Sequence, residues 1–163
     1  MYKRQVNIPT TCRFLDVGGG KGTFVGELSK TYPKVDAAVF DLPGSHPENA
    51  EHTCIIGSFK EDELPKGYDV ISLVRILYDH RDKTIESLLA KVHRALGSGG
   101  RLIVSEPMLG PDRPSIWGDV YFAIYTLALR TGKTRSPNQV SDLIKAAGFV
   151  AVSYTHLTLP TIN

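Results

Sequence analysis

Cysteine is scarce: two residues in 163, Cys12 and Cys54. Two thiols so far apart give neither metal-ligand spacing nor a disulfide framework. That excludes a small secreted scaffold, implies no metal site, and fits a reducing, cytoplasmic compartment. Long apolar runs are missing too. The longest, "VYFAIYTLAL" from Val120 to Leu129, falls well short of the roughly 20 residues a membrane-spanning helix needs, and no signal-peptide pattern opens the chain. Neither charge is in excess. Nineteen Lys and Arg oppose 17 Asp and Glu, so there is no basic stripe to hold a nucleic acid. Repeats and low-complexity segments are absent as well. What remains is one globular domain, 42% hydrophobic, with enough chain to bury a core.

The two ends read differently from the middle. Back-translated as GTG-TAT-AAG-AGA-CAG, the opening "MYKRQ" has the reverse complement CTGTCTCTTATACAC. Read from its third base, that strand encodes Val-Ser-Tyr-Thr, the start of the closing "VSYTHLTLPTIN". One inverted DNA repeat, resembling the transposon end used in sequencing-library adapters, can encode both. Residues 1–5 and 152–163 are therefore expected to be adapter-derived, and 6–151 to be native. Setting aside Lys3 and Arg4 leaves the charges balanced.

Between the ends, strands and helices alternate. Apolar runs at 13–17, 36–40, 54–56, 68–74 and 101–105 read as strands. "YDVISLV" is the fully apolar type that a central parallel strand shows. Helices are expected at 23–31, closed by Pro33; from an Asp82 cap to 96, with Ile85, Leu88, Leu89 and Val92 on one face; from about 115 to 130; and after Ser136. That last start carries a capping box, Ser136 to Gln139, with Pro137 at the first helical position, and Gly148 closes the helix. "GSGG" is expected to separate the second helix from its following strand. Repeated βα units make an α/β, doubly wound, Rossmann-like sheet, whose ligand sits beyond the carboxyl ends of the strands.

The glycines of "LDVGGGKGTF" narrow the ligand. A phosphate loop needs Gly-Lys followed by Ser or Thr, and Lys21 is followed by Gly22. A dinucleotide fingerprint from Gly18 and Gly20 needs glycine at 23, which is Thr23. The pattern that fits is Asp16, Gly18, Gly20, Gly22, with a second acid, Asp41, ending the next strand. A carboxylate there can accept both hydroxyls of a ribose. Bare backbone and acids without an anion hole suit a cationic, ribose-bearing ligand, and S-adenosylmethionine is the expected cofactor.

The motifs "LDVGGGKG", "FDLP", "GSF", "LVRILYDHRD" and "LIVSEP" occur in the order seen in the large O-methyltransferase family of phenolic, hydroxyindole and polyketide enzymes. The chain resembles that family over 6–151. "GDVYFAIYTLALRTGKTRS" resembles the bacterial hydroxyneurosporene and demethylspheroidene enzymes of carotenoid synthesis. The resemblance implies a class I methyltransferase sheet, here stopping before its C-terminal strand pair, and a homodimer made through an N-terminal domain outside this chain. It implies that Gly18, Gly20, Asp41 and Arg75 bind the cofactor. Gly57, Ser58 and Phe59 fall on the family's adenine-site triplet, with Ser58 where the family has an acid.

The catalytic segment departs from the family. Where the phenolic enzymes read His-Asp-Trp, this chain reads Tyr78-Asp79-His80, so tyrosine stands in the place of the base. Of two flanking acids, one maps to Glu106 and the other to Thr134. A neutral tyrosine, with an ordinary pKa of about 10, is a poor base at neutral pH. Tyr78 is then an orienting group for an alcohol too weakly acidic for any histidine to ionise, or the site has lost its base and only binds. His80 is read as a surface or capping residue. On the expected helix, Trp117, Tyr121, Ile124 and Ala128 share a face, with Phe122, Tyr125 and Leu129 beside it. The family's corresponding helix lines the acceptor site, which implies an apolar acceptor such as a hydroxylated carotenoid. A phenol or polyketide acceptor stays open.

Overall fold

A computed structural model of the chain describes residues 8–47, 50, 52–109 and 119–150. The terminal segments 1–5 and 152–163 and the expected helix start at 115–118, with Trp117, lie outside the described residues. Ten elements follow in order: β1 (Arg13–Val17), α1 (Thr23–Thr31), β2 (Asp36–Asp41), β3 (Thr53–Ile56), β4 (Tyr68–Val74), a 3₁₀ turn (Leu77–Asp79), α2 (Asp82–Ala95), β5 (Leu96–Ser105), α3 (Asp119–Leu129) and α4 (Pro137–Ala146).

The five strands pair in parallel in the order β3-β2-β1-β4-β5. Successive side chains of a strand point to opposite faces, and both faces here are covered. Phe14, Val39 and Val70 pack with Val25 and Leu28 of α1. Leu15, Val17, Ile71 and Leu73 pack with Ile85, Leu88, Leu89 and Val92 of α2 and Val140 and Ile144 of α4. That double burial is why β1 and β4 carry apolar residues on both faces, as at Phe14 and Leu15 and at Val70 and Ile71. No helix among the described residues is long and apolar enough to cross a membrane.

Two local expectations need correction. Asp82 does not cap α2: Arg81 is the N-cap residue and Asp82 the first helical one. Its carboxylate is drawn away to Arg135 and Lys133 instead. The helix stops at Ala95, just before "GSGG" as expected, but that stretch does not separate helix from strand, because β5 already starts at Leu96. Leu96 pairs with Tyr68, and the ladder then shifts register so that Arg101 meets Val70. Glycine makes that irregularity possible, with Gly99 at φ +77°. The capping box at Ser136 forms as expected, Gln139 N–H to the Ser136 hydroxyl at 3.3 Å and Ser136 N–H to the Gln139 carboxamide at 2.9 Å.

Candidate active site

The strand order changes direction between β1 and β4, and the carboxyl ends there form a crevice. The residues expected around the cofactor, with Glu106, lie on that edge. The glycine loop follows β1, Asp41 ends β2, Gly57 follows β3, Arg75 follows β4 and Glu106 follows β5.

In the loop, Gly18, Gly20 and Gly22 have φ of +74°, +56° and +76°, the left-handed region that side chains disfavour. A Cβ on Gly18 would strike Ile76, and one on Gly22 the His52 ring, whereas at Gly20 nothing lies within 4 Å. Gly20 therefore borders open space. Its N–H donates to Asp41 Oδ2 at 2.7 Å, while Asp41 Oδ1 accepts from Leu42 N–H at 2.6 Å and the Ser45 hydroxyl at 3.3 Å. Each carboxylate oxygen offers two lone pairs, so Asp41 keeps acceptor capacity toward the crevice. Asp16, 1% exposed, accepts the Ser72 hydroxyl at 2.5 Å. Burial pushes its carboxyl up to about 6, with Ser72 opposing and nearby Asp41 adding to the rise.

The next wall is the turn after β3. Gly57 N–H donates to the Asp41 carbonyl at 3.0 Å, and a Cβ on Gly57 would meet the Phe40 ring. Ser58 N–H donates to Asp62 Oδ2 at 2.8 Å, so Asp62 places a carboxylate beside the position where the resemblance expects an acid. Lys91 of α2 holds this turn from below. It is buried, and its ammonium donates to the carbonyls of Phe59, Lys60 and Asp62 at 2.9, 3.2 and 2.7 Å. Sequence reasoning missed Lys91, although a lysine three residues after Leu88, on an otherwise apolar stripe, was a usable signal. His80 is no surface residue. It sits half-buried, its ring edge-on to Phe59 at 5.3 Å, and burial, Lys60 and Arg135 push its pKa down.

Tyr78 lies in the 3₁₀ turn and is 4% exposed. Arg75 Nη2 donates to its hydroxyl oxygen at 3.2 Å. Burial raises the phenol's pKa above its ordinary value, Arg75 opposes that, and the hydrogen-bonded Tyr125 hydroxyl and Asp79 add to it. A phenol shifted in that direction stays protonated. Arg75 itself holds φ +58°, and its N–H donates to the Ser105 carbonyl at 2.8 Å. That strand-end strain aims the guanidinium at Tyr78.

Glu106 does not face the tyrosine hydroxyl. Its oxygens accept the N–H groups of Ile76 and Leu77 at 2.7 Å each and of Tyr78 at 3.4 Å, so it anchors the turn that carries Tyr78. Burial pushes its carboxyl up to about 7 against those three donors. The unfolded chain gives up this proton near the ordinary 4.5. Between about 4.5 and 7 the folded state holds the extra proton, so this group's contribution to stability falls as pH rises through that window and is constant outside it. Glu106→Gln keeps an acceptor for the turn but does not titrate. Thermal melts across this range are expected to show a shallower decline for the variant; equal slopes would contradict the buried placement.

Arg135 was also missed. It is 3% exposed, and it donates to the carbonyls of Leu77, Lys133 and His80 at 2.9 Å each and to Asp82 Oδ1 from Nη2 at 2.6 Å. It therefore ties both ends of the tyrosine turn to the start of α2. Thr134, at the second acid's position, has a buried hydroxyl with no partner among the described residues.

The α3 face is a further correction. Tyr121 and Ile124, on the face the sequence places with Trp117 toward the acceptor, are 60% and 63% exposed. The neighbouring row turns inward instead. Phe122 lies edge-on to the Tyr78 ring at 5.9 Å, and Tyr125 lies tilted against it at 5.7 Å. Phe122 and Tyr125 thus wall the Tyr78 ring on its α3 side.

Residues 4–150 match the O-methyltransferase domain family. The demethylspheroidene O-methyltransferase of Rhodobacter capsulatus is 45% identical over 98% of this chain and 42% of its own length. That of Cereibacter sphaeroides is 41% identical over 90% of this chain and 41% of its own. Among solved structures, human N-acetylserotonin methyltransferase in complex with SAM superposes with a TM-score of 0.81 at 27% identity, over 90% of this chain and 45% of that one. The chain spans about two fifths of the length of the curated relatives it matches. By sequence and by fold, it belongs to the O-methyltransferase domain family.

Proposed function

We propose that this chain binds S-adenosylmethionine in the crevice above β1 and β2, and that the protein methylates a hydroxyl of an apolar small molecule, a hydroxylated carotenoid. The observation that carries the cofactor reading is the Gly20–Asp41 pair: open backbone beside a carboxylate at a parallel-sheet switch point. Gly18 and Gly20 would approach the cofactor, Asp41 would accept its ribose hydroxyls, and the 57–59 turn with Asp62 would border its adenine. When bound, that group supplies a methyl on a sulfonium, already a good leaving group.

The chain's own residues would then do little more than hold the acceptor. Tyr78 keeps its proton, and with Arg75 donating to its oxygen it offers a fixed hydrogen-bonding point for the acceptor hydroxyl. Phe122 and Tyr125 give apolar wall and exclude water. Orientation of this kind can account for roughly 7–11 kcal/mol of a barrier. The resemblance to two demethylspheroidene enzymes supports the carotenoid class. The test is the complete protein with S-adenosylmethionine and a hydroxylated carotenoid in detergent micelles. The expected product is the methyl ether, with adenosylhomocysteine released in equal amount. Transfer to simple phenols with none to the carotenoid would overturn the substrate class.

A further inference from the structure

Beside the glycine loop, on the side away from Tyr78, three residues converge that neither the cofactor nor the acceptor reading uses. One ring nitrogen each from His46 and His52 and the Cys54 sulfur lie within 4.8 Å of one another. Their spacing in the chain resembles no metal motif, and the strand pairing of β3 on β2 brings Cys54 level with Val39. Two further observations point to a ligand. His46 Nδ1 lies 3.1 Å from the Gly20 carbonyl. A carbonyl only accepts, so Nδ1 carries the proton and Nε2 presents a lone pair. His46 Nε2 and His52 Nε2 are both buried, with no hydrogen-bond partner among the described residues. Two buried, unsatisfied imidazole nitrogens beside a thiol are costly unless something completes them.

We propose that His46, His52 and Cys54 form a binding site for a zinc-type divalent cation, with the thiolate and two neutral imidazoles as ligands and a fourth position open. The donor set is the borderline-soft one that zinc takes, and a hydrogen bond from the far ring nitrogen to a backbone carbonyl is the usual support for a ligating histidine. Tetrahedral zinc sets its ligand atoms about 3.3–3.6 Å apart, so from separations of no more than 4.8 Å only a small inward movement completes the site. Hard cations such as magnesium prefer oxygen and would not compete. Because His46 holds the Gly20 carbonyl and the His52 ring abuts Gly22, an ion here would brace the glycine loop from behind.

The experiment uses the whole 163-residue chain. Calorimetry is expected to show one zinc ion bound per chain with release of protons, as thiol ligation requires, and no such binding of magnesium. Cobalt(II) in its place is expected to give a sulfur-to-metal charge-transfer absorption that Cys54→Ser removes and Cys12→Ser keeps, since Cys12 lies at the other end of the sheet. In the unaltered chain, zinc is expected to slow alkylation of Cys54, read by peptide mass mapping, and to leave Cys12 unaffected; this arm needs no variant to fold. Absence of saturable one-to-one zinc binding, a cobalt–sulfur band that survives Cys54→Ser, or Cys54 alkylation indifferent to zinc would each overturn the site.

Discussion

Asp41→Ala is expected to weaken S-adenosylmethionine binding roughly 10²- to 10⁴-fold. Hydrogen bonds to a charged acceptor are worth about 1.5–3 kcal/mol each, and in the proposed arrangement a ribose would bring two hydroxyls to this carboxylate. At about 1.4 kcal/mol per tenfold, losing both gives that range. A second effect acts in the same direction. Asp41 also accepts the N–H of Gly20 and of Leu42, so alanine releases the glycine loop that must approach the cofactor. Asp41→Asn partly separates the two contributions, because its single amide oxygen can still accept from Gly20 without the charge, while its NH2 cannot accept from Leu42. Its affinity is expected to fall between wild type and alanine. Calorimetry on folded variants decides the matter: an Asp41→Ala chain with undiminished affinity would show that the ribose is held elsewhere.

Tyr78→Phe in the complete protein is expected to slow methyl transfer about 10- to 100-fold. That is the loss of one hydrogen bond of roughly 1.4–2.8 kcal/mol in the transition state. A general base is typically worth more, about 10²- to 10⁴-fold, and leaves a marked pH dependence when removed. The geometry favours the smaller figure. Tyr78 is buried with its pKa raised, and its oxygen already accepts from Arg75, so it is poorly suited to take a proton. Tyr78→His probes the acceptor. An ordinary histidine pKa of about 6.5 can assist a phenol but not an aliphatic alcohol. With an aliphatic acceptor, histidine is expected to be neutral or harmful; a large rate gain would sink that reading and point to a phenolic substrate.

How much of this was legible beforehand depends on the range over which each interaction acts. The strands β1 and β4, the helix α2 with its buried Ile85, Leu88, Leu89 and Val92, and the capping box of α4 all follow from patterns a few residues long. So does the placement of Gly18, Gly20, Asp41, Gly57 and Arg75, since a residue that follows a parallel strand must lie on its carboxyl edge. Where a short pattern served two masters, it misled. Asp82 looked like a cap but answers to Arg135 across 53 residues, and "GSGG", which follows the helix end as expected, looked like a linker before the strand but is absorbed as an irregularity in β5.

The sequence by itself determined the α/β class and the glycine loop with its paired acid, because these rest on local periodicity and backbone freedom, and its resemblance to the family put Tyr78 where the phenolic enzymes carry histidine. Only the tertiary structure decided what Glu106, Lys91 and Arg135 do. Each reaches backbone 28 or more residues away: Glu106 to the tyrosine turn, Lys91 to the 59–62 turn, Arg135 to Leu77 and His80. It also decided which row of α3 faces Tyr78, and that His46, His52 and Cys54 meet. Contacts of that kind depend on which strand lies beside which and on how a helix is rotated against the sheet. Both are set by packing of the whole core, and no short window of sequence contains them.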